Sequence, residues 1–226
     1  MELGLQDTIV RVDELYSKRQ RIENIHASVK LLQLVAPGLS EYEINWRAGR
    51  AFFFLGQQAP EPATASLYYS HGIATCRQAA RETGGRVEGH FWLGVNLALA
   101  AQAKRSFRGI QLALEARREL KRAVAIDETY HGAGPLRVLA RLEHKIPSLL
   151  GGGKPLARRY YERAIAIAPE NTVTRIYFAE LLLEMGDRNR AREQLEFVMS
   201  VKGDPNWTFE IARDKDLASQ MLNQFR

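Results

Sequence analysis

The chain has 226 residues, 46% of them hydrophobic, and a formal net charge of +6. That length and apolar content can build a core without metals, and the lone cysteine, Cys76, excludes both an internal disulfide and a cysteine zinc cluster. No stretch approaches the roughly 18 consecutive apolar residues of a membrane-spanning helix. The basic excess does not point to nucleic acid, because "EARRELKR" and "ARRYYERA" interleave acids with arginines at the spacing of a solvated, ion-paired helix face.

In chain order, the opening "MELGLQDTIVRVDELYSKRQ" carries Glu2, Asp7, Asp13 and Glu14 where a secretory signal needs a basic head and an apolar run. The sequence as it stands therefore reads as cytoplasmic, and as periplasmic if an export leader has been removed. Residues 1–38 are expected to form one long capping helix. Ile25, Val29 and Leu32 share a face, and Pro37 supplies the stop.

From 41 to 203 a pattern recurs four times. Ala157, Tyr161 and Ala164 lie on one helical face, and Pro169 closes the segment. The same rhythm appears at Ala191, Leu195 and Val198, at Ala116, Leu120 and Ala123, and more loosely at Gly72, Cys76 and Ala79. A second helical segment, centred on a small residue, precedes each: Gly49, Gly94, Ala140 and Ala179. The unit is a helical hairpin, helix A then helix B. The small residues of A and B lie 23 apart from Gly49 to Gly72, 22 from Gly94 to Ala116, 17 from Ala140 to Ala157 and 12 from Ala179 to Ala191. The first three intervals leave room for longer helices or inserted loops. After them, 204–226 reads as a C-terminal capping segment in which Trp207, Phe209, Leu217 and Met221 cover the last repeat. The whole is expected to be one all-α domain.

These residues resemble the tetratricopeptide repeat, in which a large residue, a Leu-Gly pair and a tyrosine-like position mark helix A, and small and aromatic residues mark helix B. "TRIYFAELLLEMGDRNRAREQLEFV" is the best match. More particularly, "GHFWLGVNLALA", "GPLRVLARLEHKIP" and "LLGGGKPLARRYYERAIAIAPEN" resemble the T component associated with tripartite ATP-independent periplasmic (TRAP) transporters. The resemblance implies a right-handed superhelical solenoid with elongated A–B connections, working beside a periplasmic substrate-binding protein. Helix A side chains line the inner, concave face of such solenoids. Matching repeat positions nominate Trp46, Arg50, Phe91, Val95, Arg137, Arg141, His144, Ile176 and Glu180 as partner-facing residues. The mixture of aromatics and cations suits an acidic peptide or a small carboxylate.

No chemistry competes with this. His26, His71, His90, His131 and His144 fall in different segments without HExxH spacing, so no metal is expected. His90 occupies a packing position, as does Cys76. "LLGGGKP" lacks the spacing and the Ser or Thr of a phosphate loop; its glycines free a connection, and Pro155 starts the next helix. No nucleophile, base and orienting group can be assembled, so neither catalysis nor a cofactor is expected. The leading expectation is a noncatalytic protein- or peptide-binding scaffold accessory to solute transport. A small-ligand receptor and a homo-oligomerisation module remain as alternatives.

Overall fold

In the computed structural model, residues 4–35, 41–103, 107–204 and 207–225 are described, and nothing below concerns the side chain of Leu150. The described residues form helices, one short 3-10 turn and no strand. Where the sequence suggests a single domain, the contacts divide the chain into two compact units, 1–127 and 128–226.

The first unit contains α1 (Leu5–Ser17), α2 (Ile22–Gln33), α3 (Glu41–Gln58), α4 (Pro62–Glu82), α5 (Val87–Gln102) and α6 (Phe107–Asp127). Three hairpins result: α1 with α2, α3 with α4, and α5 with α6. They stack through α2 on α3, α4 on α5 and α3 on α5. The wide spacing of the small residues here reflects long helices, 18 and 21 residues in α3 and α4, joined by a short connection.

The expected single N-terminal helix is instead two. The chain turns at Lys18–Arg21, where the Asn24 amide donates to the Lys18 carbonyl at 2.8 Å. The fold-back lets Val12 on α1 and Leu32 on α2 share a core cluster with Ala48 of α3, burial that an uninterrupted helix would forfeit. The expected stop at Pro37 lies outside the described residues.

The second unit holds α7 (Tyr130–Lys145), α8 (Lys154–Ile167), α9 (Thr172–Glu184), α10 (Arg188–Ser200) and α11 (Thr208–Asn223). Helices α7 and α8 pair, as do α9 and α10, and α11 packs on both members of the second pair. Between α7 and α8, a 3-10 turn (Ser148–Leu150) and three glycines fold back on the end of α7, with the Gly153 amide donating to the Glu143 carbonyl at 2.8 Å. Pro155 sits in the first turn of α8, where its missing N–H costs nothing. Asn171 and Asp187 cap α9 and α10 through side-chain bonds to the Thr174 and Arg190 amides. Gly186 supplies the left-handed residue, φ +84°, of the turn between them. The buried face of α11 is Ile211, Asp214, Ala218 and Met221, whereas Phe209 and Leu217 are exposed. The phase of the cap is thus rotated from the expected set, with Met221 common to both.

The B-helix register is the core. Cys76, Ala79, Ala116, Leu120, Ala123, Ala157, Tyr161, Ala164, Ala191, Leu195 and Val198 have no measurable exposure. Burial also pushes the Cys76 thiol pKa up, as suits an inert packing group. Small residues set the helix separation. A Cβ on Gly49 would fall 1.9 Å from Cys76 Sγ, and one on Gly94 would fall 2.6 Å from Leu120 Cγ. Asn96, fully buried, donates to the Gly49 carbonyl at 3.1 Å and to the Trp92 carbonyl at 2.8 Å, tying α5 to α3. Its side chain fills the space a Cβ on Gly72 would need, 2.4 Å from Asn96 Oδ1.

Helix α1 is also fixed electrostatically. Asp13 accepts from Arg47 Nη2 at 2.8 Å and from Arg50 Nη2 at 2.6 Å. Burial raises the Asp13 pKa, but the two guanidiniums outweigh it and hold the carboxyl below its usual 3.8.

Two outcomes follow from this packing. Gly49→Ala should destabilise the chain by about 1–3 kcal/mol in urea unfolding, because Cys76 is enclosed and has nowhere to move; unchanged stability would mean that α3 and α4 are not in the close contact described. The Asp13 stabilisation is fully present above the unfolded pKa and is lost as pH falls through the lower folded value. Asp13→Asn should therefore melt earlier than wild type at pH 7, the two curves converging below about pH 4. A constant gap down to acid pH would contradict the ion-pair account.

Candidate functional site

The nine residues nominated from sequence separate when placed in the structure. In the first unit, Phe91 and Val95 lie in the core, 1% and 5% exposed. Phe91 packs edge-on against Trp92, with ring centroids 4.8 Å apart. Trp46 is buried and donates from Nε1 to Glu43 at 3.0 Å. Arg50 is engaged by α1: besides Asp13, it lies over the Tyr16 ring at 3.8 Å and the Trp46 ring at 5.0 Å. A cation–aromatic cluster does form, but the carboxylate it holds is the chain's own.

In the second unit, Ile176 is core. Arg137, Arg141 and His144 follow one another along α7 at helical spacings of four and three. Arg141 and Glu180 bond directly across α7 and α9, both half-buried. Burial works against the Arg141 charge, but the bond to Glu180 outweighs it and raises the pKa. Arg141 also lies over the Tyr177 ring at 4.4 Å. One turn on, His144 Nε2 is 2.9 Å from Glu184 and Lys145 Nζ is 3.1 Å from the same carboxylate. Burial draws the His144 pKa down from its usual 6.5, against the pull of the Glu184 carboxylate beside it. The close approach of His144 and of the Lys145 ammonium in turn holds Glu184 well below the ordinary carboxylate range.

The accessible surface is displaced from the nominated set. On α7 it includes Val138, Arg141 and Lys145; on α9 it includes Val173, Tyr177, Glu180 and Glu184, again at helical spacing. Arg141 and Glu180 were legible from repeat position. Tyr177, Lys145 and Glu184 were not, although Tyr177, Glu180 and Glu184 recur at helical spacing in the largely apolar run from Ile176 to Glu184. The resulting face carries alternating charges beside a half-exposed tyrosine.

His90 is the packed ring that its position suggests, 3% exposed, with Nδ1 2.7 Å from Glu119. Among the described residues no group of three or more His, Cys, Asp or Glu side chains could hold a metal ion, and no helix is long and apolar enough to cross a membrane.

Comparison with known proteins places this architecture. No curated protein sequence matches the chain. Among solved structures, it is similar to a thermophilic TPR protein from Thermus thermophilus, with a TM-score of 0.69 and 17% identity over 93% of this chain and 98% of that one. It is also similar to a mutant of MamA, with a TM-score of 0.50 and 14% identity over 86% of this chain and 97% of that one. At these identities the likeness concerns the fold, a helical-repeat solenoid of the tetratricopeptide kind. The family model described as TRAP transporter T-component matches residues 63–224, most of the chain. The protein belongs to the TRAP transporter T-component family.

Proposed function

We propose that the protein is a noncatalytic scaffold accessory to solute transport, and that the α7–α9 face of its second unit receives a TRAP substrate-binding protein. Family membership supports the transport setting. The observation that carries the choice of surface is the ladder across α7 and α9, in which Arg141, Lys145, Glu180 and Glu184 pair while remaining open to solvent beside Tyr177.

The physics suits a reversible protein contact. A half-exposed tyrosine supplies a large apolar surface with one polar tip, and the flanking charges steer a complementary partner. Paired charges need no neutralising ligand, so the face is stable when empty. The residues nominated in the first unit take no part in this contact: Phe91 and Val95 pack inside it, and Trp46 and Arg50 are bound to neighbours. The Cys76 thiol is buried and inert.

A second reading, a small-ligand receptor, is favoured by one observation: among the described residues no carboxylate pairs with Arg137.

The full chain titrated calorimetrically with the TRAP substrate-binding protein of the same organism should bind saturably. The double variant Arg141→Gln and Glu180→Gln keeps both side chains polar and removes both charges of the pair, so it should weaken binding about tenfold or more with little change in melting temperature. No binding by wild type, or undiminished binding by the double variant, would contradict the assignment.

A further inference from the structure

We propose that Arg137 anchors a binding site for a small carboxylate in the second unit. The ladder between α7 and α9 has three levels, and two are neutralised: Glu180 faces Arg141, and Glu184 faces His144 and Lys145. At the level of Arg137, α9 presents Tyr177 instead of an acid. Arg137 is only 7% exposed, and among the described residues its side chain makes one hydrogen bond, Nη1 to the Gly132 carbonyl at 3.0 Å. Asp214, the acid whose charge acts on it, is already committed: it accepts from Thr172 Oγ1 and from Arg213 Nη2, both at 2.7 Å.

A buried guanidinium with no carboxylate against it is costly, and that cost is the source of affinity for an anion. Burial lowers the Arg137 pKa to about 10, which leaves it charged at pH 7. A further feature makes the place electropositive. His131, Gly132 and Ala133 are left-handed, so the regular part of α7 begins just after them and Arg137 stands in its first turn, where the helix dipole is positive.

The geometry selects the ligand class. The Gly132 carbonyl occupies Nη1, which leaves the Nε–Nη2 edge, and that edge matches the two oxygens of a carboxylate. One uncompensated positive charge calls for a monoanion, and the slight exposure calls for a small one. The site does not depend on the scaffold reading and stands or falls separately from it.

Differential scanning fluorimetry of the full chain tests it, with sodium acetate, propionate and pyruvate against sodium chloride at equal ionic strength. The expected result is a saturable rise in melting temperature with at least one carboxylate and none with chloride, since a ligand bound to the folded state alone raises its stability. Arg137→Gln should abolish the response. Should that variant fail to fold, Arg137→Lys, which keeps the charge and loses the fork, should require about tenfold more carboxylate for the same shift. No carboxylate-specific shift in wild type, an undiminished shift in Arg137→Lys, or stabilisation by inorganic phosphate alone would each overturn the proposal.

Discussion

The structure depends on how closely its helices can approach. At Gly49, Gly72 and Gly94 there is no room for a methyl group, and at Ala116, Ala140, Ala157, Ala179 and Ala191 there is room for nothing larger without displacement of an enclosed neighbour. Close approach lets Tyr161, Phe178, Leu120 and Trp92 fill the gaps between small residues, and it lets Asn96 reach a carbonyl on another hairpin. Once helix separation is fixed, each side chain's exposure follows from its phase on the helix. The recognition face is what this packing leaves open.

Charges then divide into two kinds. Several pair across adjacent helices, as Asp13 does with Arg47 and Arg50, and as Arg141 does with Glu180. Such partly exposed pairs contribute modestly to stability but fix register and orientation. Arg137 differs, because its rung of the ladder lacks an acid. The same α7 therefore carries a balanced stripe suited to a protein and, a turn earlier, an unbalanced point suited to an anion.

Much of the fold was legible because the hairpins share one register. The spacing of small residues in helices α4, α6, α8 and α10 is a local property of the sequence, and each of those positions is packed inside. The face was less legible for a physical reason. Helices α5 and α9 are flanked by neighbours on more than one side and are apolar over most of their circumference. Their 3.6-residue periodicity is therefore weak, so Phe91, Val95 and Ile176 looked equivalent to accessible positions. The contact of Asp13 with Arg47 and Arg50 joins residues more than thirty apart, and the turn at Lys18–Arg21 contains neither glycine nor proline. Neither leaves a local signal.

The central claim is that the open face of α7 and α9 is where a transport partner docks. Hydrogen–deuterium exchange on the full chain, with and without the TRAP substrate-binding protein, tests it most directly. The account predicts slowed exchange concentrated in residues 138–145 and 173–184. Protection confined to other segments, with those two unchanged in a saturated complex, would contradict it.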